Sequence, residues 1–355
     1  MTLRLIDDET IPGRGTWWNT ENRFEGRILA YEGEDQPAGP ARVPTNFLED
    51  SAKTILCQND SPDVGFDFSV NPYRGCEHGC IYCYARPTHE YMGYSAGLDF
   101  ETQIFYKPRA AALLDEALAR KSWKPNVIAI SGVTDAYQPI EREKKLTRGC
   151  LEVLWKYRNP TVIVTKNRLV TRDIDILATM AEQGCAGVLI SLTTLDLGLN
   201  RILEPRSSSP QQRLEAIQAL SAAGIPVGVL VAPVIPGLTD HEIPALLSAA
   251  FEAGARHAGY VMLRLPHAVA PLFEAWLEQH YPDRKEKILG RLRSMRGGAL
   301  YQSAFGERMR GTGFHADQVA HLFSLMHKRL GFSEGPMALR TDGFRPAGGE
   351  QLSLF

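Results

Sequence analysis

What this chain has little of narrows the field before anything it contains. Only six of its 355 residues are cysteine, too few for a disulfide-stapled scaffold of this size. No stretch approaches the roughly 18 to 20 consecutive apolar residues of a membrane-spanning helix. The opening Met1-Thr2-Leu3-Arg4-Leu5-Ile6-Asp7-Asp8-Glu9 is acidic and lacks the apolar centre of a secretion signal, so a cytoplasmic protein is expected. An excess of one charge is missing as well: 39 Lys+Arg against 41 Asp+Glu leave a formal net charge of -2. There is no global basic footprint for phosphate binding, and any nucleic-acid contact needs a local patch. Internal repeats and low-complexity tracts are absent too. With 44% hydrophobic and 23% charged residues, the composition is that of a folded chain with a substantial core, which excludes disordered and collagen-like classes.

From Phe66 onward, short apolar runs at 65–70, 127–131, 161–165, 187–192, 227–231 and 258–263 alternate with amphipathic stretches at 109–118, 141–157, 172–183, 210–223 and 241–253. This is the alternation of repeated βα units, and several helical stretches end near Gly184, Gly224 or Gly254, as helix caps require. Six units with right-handed crossovers give an α/β fold with a parallel sheet, either doubly wound or rolled into a partial (β/α)6, TIM-like barrel. After Leu265 the strand signal stops, and helices are expected at 271–280, 283–295 and 315–330. The expected organisation is an irregular N-terminal extension over 1–50, a core barrel over 51–265, a helical region over 266–340 and a flexible tail over 341–355. The extension carries Gly13-Arg14-Gly15 and the adjacent Trp17-Trp18 pair, and is expected to pack across something larger.

Chemistry concentrates in Arg74-Gly75-Cys76-Glu77-His78-Gly79-Cys80-Ile81-Tyr82-Cys83-Tyr84-Ala85-Arg86. Cys76, Cys80 and Cys83 lie on a glycine-containing loop after the first expected strand, and soft thiolates at this spacing suit an iron-sulfur cluster or zinc. A structural zinc site calls for a fourth ligand, usually from a second close pair, whereas Cys57, Cys150 and Cys185 are scattered. Gly75 and Gly79 supply the positive φ angles that a loop wrapped around a cluster requires.

The C-x3-C-x2-C spacing, with an aromatic before the last cysteine and placed at the end of the first of six βα units, resembles the radical S-adenosylmethionine (SAM) superfamily. The resemblance implies that Cys76, Cys80 and Cys83 bind a [4Fe-4S] cluster whose open iron chelates SAM, and that Tyr82 approaches the adenine. In that family, electron transfer cleaves SAM to a 5'-deoxyadenosyl radical that abstracts hydrogen, which implies an electron donor such as flavodoxin or ferredoxin. Thr134 and Asp135, after the second strand, are the counterparts of residues that receive the SAM amino group, although the usual Gly-Gly-Glu is absent. Ser191 is the candidate for the ribose and Arg206 for the carboxylate, with an ion pair between Arg206 and Glu204 as the other use of that arginine. Ala232-Pro233-Val234-Ile235-Pro236-Gly237 resembles the adenine-side loop. Lys166 and Asn167 share the rim, where they serve as substrate contacts or as capping and solvated residues.

A narrower resemblance runs over about residues 45 to 330. Asn71-Pro72-Tyr73-Arg74-Gly75-Cys76, Cys83-Tyr84-Ala85-Arg86, Thr134-Asp135-Ala136-Tyr137-Gln138-Pro139 and Leu203-Glu204-Pro205-Arg206 look like the bacterial radical SAM group related to spore photoproduct lyase, often described as DNA-repair-like. Those lyases carry a hydrogen-donating cysteine near the end of the second strand, where this chain has Ser131-Gly132-Val133. Cys150 and Cys185 fall on expected helices and read as buried small hydrophobes. The implied substrate is DNA, with radical modification of RNA or of a peptide, or a non-catalytic iron-sulfur protein, as the other readings. Two further features bear on DNA. Residues 283–310 hold eight Lys/Arg against three acids, a local net of +5, which serves either as a phosphate track or as a solvated face. The terminal Gln351-Leu352-Ser353-Leu354-Phe355 resembles the pentapeptide by which bacterial repair and replication proteins dock into the DNA sliding clamp. In that mode leucine and phenylalanine anchor in an apolar pocket while glutamine fixes the register. The other reading is a C-terminus that packs back on its own barrel.

Overall fold

Branched apolar residues dominate the expected strand positions, and in a computed structural model, which describes residues 11–24 and 43–346, they form the centre of the molecule. The strands are β1 Asn46–Glu49, β2 Leu56–Gln58, β3 Phe68–Val70, β4 Tyr73–Arg74, β5 Gln103–Tyr106, β6 Ile128–Ile130, β7 Thr161–Thr165, β8 Ala186–Ser191, β9 Val227–Val234 and β10 His257–Met262. The main sheet runs β10-β9-β8-β7-β6-β3-β2, parallel throughout except for the antiparallel edge strand β2. The six parallel strands are the six expected from the sequence. The helices are α1 Asp99–Thr102, α2 Ala110–Leu118, α3 Glu141–Lys144, α4 Leu146–Tyr157, α5 Ile174–Glu182, α6 Leu197–Leu203, α7 Pro210–Ala222, α8 Ile243–Glu252, α9 Val269–His280, α10 Pro282–Ser294 and α11 Phe314–Leu330.

The main apolar core lies between the sheet and helices α2, α4, α5, α7, α8 and α11, and includes Val70, Ile130, Leu151, Ile163, Val188, Leu220, Val229 and Leu247, all fully buried. The sheet is open between β10 and β2, yet it curls. In a flat sheet β3 and β10 would stand about 24 Å apart. Instead the guanidinium of Arg264, just past β10, lies 5.1 Å from the ring centroid of Tyr84 in the loop after β3. Arg308 reaches Asp63 across the same gap. Because the strands are parallel, all their C-terminal ends meet at one mouth, where barrels of this type carry their functional residues. A second apolar cluster covers part of that mouth: α6, α9 and α10 bring Leu199, Leu203, Phe273, Trp276 and Leu289 together with Trp17, Trp18, Cys80, Ile81 and Tyr82.

Several expectations need correction. The single helix over 141–157 is two helices, broken at Lys145 with φ 51°. The buried Glu141 carboxylate takes the Thr147 amide at 3.0 Å and the Arg148 amide at 3.4 Å, which caps a new helix start. The stretch 172–183 begins as a 3-10 turn before α5. Cys185 is not helical but follows α5, its thiol donating to the Met180 carbonyl at 3.1 Å. The N-terminal region is not irregular throughout, since β1 pairs in parallel with β5, which pairs with β4 in a small second sheet beside the cysteine loop. These strands are two to four residues long, too short to show an alternation. The described part of the tail packs rather than hanging free. The Arg345 amide donates to the Tyr157 carbonyl at 2.8 Å and Phe344 stacks on Tyr157, just after Arg340, whose amide donates to the Gly184 carbonyl at 2.8 Å. Gln351, Leu352, Ser353, Leu354 and Phe355 lie outside the described residues. Among the described residues no helix is long and apolar enough to cross a membrane.

Leu151 sits fully buried between α4 and the sheet. Leu151→Ala is expected to cost about 2–5 kcal/mol, read as a lower urea midpoint with an unchanged slope.

Candidate active site

The loop that follows β3 is held on every side by backbone and side-chain partners. The β4–β5 pairing fixes Tyr73 and Arg74, and the Cys76 amide donates to the Phe100 carbonyl at 2.9 Å. Gly75 and Gly79 have φ of 73° and 68°. At Gly79 an added Cβ would lie 2.8 Å from a Glu101 carboxylate oxygen, so both conformation and space demand glycine there. Glu77 donates its amide to Gln138 Oε1 at 2.9 Å and accepts the Ile140 amide at 3.1 Å. Thr134 donates its hydroxyl to the Gly75 carbonyl at 2.6 Å and receives Gln138 Nε2 at 3.0 Å. Asn71 Oδ1 accepts the amides of Gly132 and Val133 at 2.8 and 3.1 Å. The segment after the second parallel strand is thereby laced to the cysteine loop.

Beneath the loop lies a buried charge network centred on Glu204. Its carboxylate pairs with Arg213 and with Lys166, the latter at 3.3 Å. It also accepts from Tyr82, from Thr193 at 2.7 Å and from Asn200 at 3.1 Å. Burial alone would raise the Glu204 pKa, but Arg213 and Lys166 outweigh it and hold the carboxyl well below the usual range. Arg213 is 1% exposed and its other donors reach the carbonyls of Ser191 and Ser208, both at 2.9 Å. Lys166 also donates to the Ala232 carbonyl at 3.1 Å and lies 5.6 Å from the Tyr82 ring centroid.

The expected cofactor contacts all lie at the mouth, in varied states. Tyr82 is buried against Glu204 and Thr193. Asp135 uses both oxygens internally: Oδ1 accepts the Tyr137 amide and the Thr165 hydroxyl, while Oδ2 accepts the Lys166 amide and faces His78 Nδ1 at 3.4 Å. Burial pushes its pKa up, but His78 and these donors more than compensate and keep it low. Ser191 ends β8 and is buried. Arg206 is not paired with Glu204. It binds Glu77 Oε1 at 2.9 Å and Thr45, because Glu204 points inward to Arg213. Lys166 belongs to the Glu204 network, and Asn167 caps a helical turn through the Leu169 amide while meeting His78 Nε2.

Sequence reasoning missed the role of Arg213, although the signal existed, since it occupies the same buried stripe of α7 as Ala216, Ile217 and Leu220. Arg86 and Glu101, an ion pair with both side chains fully buried, were missed as well. The basic stretch 283–310 is partly satisfied within the molecule, while Arg284, Lys287 and Arg310 stay exposed. Lys285, Arg291, Arg293 and Arg308 form ion pairs, and Arg296 is buried against the carbonyls of Leu263, Glu307 and Arg308.

Residues 70–250 match the radical SAM superfamily, about half of the chain. The chain belongs to the radical SAM superfamily. Members of that superfamily are enzymes that use a [4Fe-4S] cluster and SAM. An uncharacterized protein of Mycobacterium tuberculosis (strain ATCC 25618 / H37Rv) is 37% identical over 265 residues, 72% of this chain and 77% of the relative. An uncharacterized protein of Methanocaldococcus jannaschii is 30% identical over 230 residues, 65% of this chain and 82% of the relative. Among solved structures, spore photoproduct lyase complexed with dinucleoside spore photoproduct is similar in fold. Its TM-score is 0.60 at 16% identity, covering 88% of this chain and 86% of that one. A variant of the lyase with bound AdoMet and dinucleoside spore photoproduct gives a TM-score of 0.57 at 16% identity over the same shares.

The donor set of this radical SAM chain fits the cluster. Cys76 and Cys80 are buried, Cys83 is half-buried, and all three are free thiols. Burial pushes each thiol pKa up, and at Cys76 the neighbouring Asp135, Cys80 and Cys83 push further. Such thiols bind a cationic group only as thiolates, so binding releases their protons to solvent. Among the described residues no three His, Cys, Asp or Glu side chains converge on one ion position.

Glu204→Gln leaves Arg213 and Lys166 without their buried counter-charge. We expect it to cost about 3–5 kcal/mol in urea unfolding of cluster-free protein. The wild-type carboxyl is depressed on folding, so its contribution is complete above the unfolded carboxyl pKa, about 4.3. It fades as the pH falls toward the lower folded value, and the gap between the two proteins closes in that window.

Proposed function

We propose that this radical SAM enzyme acts on DNA, repairing or modifying a damaged base, with Cys76, Cys80 and Cys83 as the cluster ligands. The observation that carries the cluster assignment is the three-thiol loop at the barrel mouth, fixed from β4, Phe100, Gln138 and Thr134. When bound, the cluster and SAM supply one-electron cleavage of the sulfonium to a radical that abstracts hydrogen from the substrate. The residues of this chain orient the partners. Tyr82, braced by Glu204 and Thr193, would meet the adenine of bound SAM. Thr134 and Asp135 would receive its amino group, Ser191 the ribose, and Arg206, paired with Glu77, would balance the carboxylate. An external reductant such as flavodoxin or ferredoxin supplies the electron, and a cytoplasmic location accords with that supply.

The DNA reading rests on the lyase-like fold, shared over nearly nine-tenths of the chain, and on the motifs at 71–86, 134–139 and 203–206. Thiol-mediated hydrogen return is not the route here. Ser131-Gly132-Val133 replaces the cysteine-bearing segment, and the three cysteines outside the loop lie on β2, in α4 and just before β8. The reaction we infer is therefore lyase-like in its first hydrogen abstraction and different in how the substrate radical is quenched.

Delivery to DNA falls to the terminal Gln351-Leu352-Ser353-Leu354-Phe355, which we propose binds the bacterial sliding clamp. Its nearest described anchors, Arg340 and Arg345, pack against Gly184 and Tyr157. Those residues precede β8 and β7, at the end of the barrel opposite the cysteines. Tethering to a clamp raises the effective concentration of DNA without strong intrinsic affinity. That accords with a basic stretch in which four of the eight Lys/Arg, namely Lys285, Arg291, Arg293 and Arg308, are in ion pairs.

The test is anaerobic turnover of reconstituted protein with dithionite, SAM and ultraviolet-damaged or undamaged oligonucleotides. We expect 5'-deoxyadenosine in wild type, none in Cys80→Ala, and consumption of a damaged-base oligonucleotide. 5'-Deoxyadenosine formed with altered RNA or peptide, and DNA left intact, would move the substrate assignment. A second measurement, fluorescence anisotropy of the labelled tail peptide with purified sliding clamp, is expected to show saturable binding that is lost on replacing Leu354 and Phe355 by alanine.

A further inference from the structure

The matched superfamily region starts at residue 70, yet part of the cysteine loop's surroundings comes from residues 11–24. Gly15 lies backbone to backbone against Gly79, which sits between the first two cysteines. A Cβ at Gly15 would fall 1.7 Å from the Gly79 carbonyl oxygen and 2.8 Å from its carbon, so no other residue permits this approach. The Gly15 amide donates to Glu101 Oε2 at 2.8 Å. The other oxygen of Glu101 pairs with Arg86 at 2.5 Å, and Arg86 Nε donates to the Cys80 carbonyl at 3.0 Å. An unbroken chain of hydrogen bonds thus runs from the segment's amide to the backbone of the central cysteine. Glu101 and Arg86 are both fully buried, so losing either partner leaves a buried charge uncompensated.

The segment is anchored on both sides of Gly15. Arg14 donates to the Glu101 carbonyl at 2.7 Å and to Thr45 at 2.9 Å. Trp17 and Trp18 pack in one apolar cluster with Cys80, Ile81 and Tyr82. The Trp18 carbonyl accepts the Leu98 amide at 3.0 Å, and Asn19 exchanges two bonds with Asp99, each 2.9 Å. We propose that residues 14–18 are a strap that holds the cysteine loop closed around its cluster and screens the Cys80 side from solvent and dioxygen. Gly15, Glu101 and Arg86 are its positioning residues. Because coupling is reciprocal, a strap that stabilises the loaded loop is stabilised by the cluster to the same degree.

The inference rests on the reading of the three cysteines as cluster ligands, and the experiment separates the two. Full-length protein is prepared with the cluster reconstituted anaerobically and without it, and peptide-level hydrogen exchange is followed over residues 11–24. Exchange there is expected to slow at least about five-fold on loading, the lower end of ordinary coupling. Cluster absorbance in air is expected to decay at least about five-fold faster in Gly15→Ala than in wild type, at a coupling of the same order. Gly65→Ala, whose added Cβ meets nothing within 4 Å, serves as the control and is expected to decay as wild type does. Equal exchange in loaded and cluster-free wild type would overturn the strap even if Gly15→Ala failed to fold. So would equal decay of Gly15→Ala and wild type. Retention of a full cluster by Cys80→Ala would overturn the ligand reading instead.

Discussion

The Glu204 carboxylate is the interaction on which the mouth of this barrel depends. One buried anion gathers Tyr82 from the loop after β3, Lys166 from the end of β7, Thr193 beyond β8 and Arg213 from α7. Buried ion pairs contribute little net stability against a well-packed apolar alternative, and their attested use is to specify one arrangement. Here the arrangement is the placement of the ends of β7 and β8 and of α7 against the loop that carries Cys80 and Cys83. Tyr82 cannot leave its place without giving up its hydrogen bond to the buried carboxylate, and Lys166 cannot turn toward solvent without losing the Ala232 carbonyl as well.

Around that centre the cysteine loop is held by groups that mostly do no chemistry of their own. Glu77 is tied to Gln138, Ile140, Thr45 and Arg206. Asp135 and His78 link the loop to the end of β7, and Arg86 and Glu101 tie it to the N-terminal segment. The result is a site whose ligand positions are fixed from several elements at once, which a preorganised metal centre requires. Acids and bases at the mouth pair with each other, and the basic residues of α10 pair with neighbours such as Asp240 and Glu278.

Much of this was legible in the chain. The six parallel strands could be read because buried central strands are continuous apolar runs bounded by glycine or polar turns. The cysteine spacing and its place after the first strand pointed to the cluster. What could not be read was long-range pairing. Strands β1, β2, β4 and β5 span two to four residues and are defined by their partners rather than by pattern. The break at Lys145 follows from Glu141, whose side chain caps the next helix, an event that periodicity does not encode. Arg206 stands two positions from Glu204 in the chain, but its ion-pair partner in space is Glu77, 129 positions earlier by the numbering. The N-terminal glycines and tryptophans stood out as a composition, while their contact with Gly79 and Cys80 exists only in three dimensions.

The central claim is that three thiolates of the first βα loop hold a four-iron cluster with one iron left open for SAM. Mössbauer spectroscopy of protein reconstituted with 57Fe, taken with and without SAM, tests it most directly. The account predicts a [4Fe-4S] spectrum in which one iron site shifts on adding SAM while the remaining three do not. A protein that takes up zinc in place of iron, or a cluster whose spectrum SAM leaves unchanged, would contradict it.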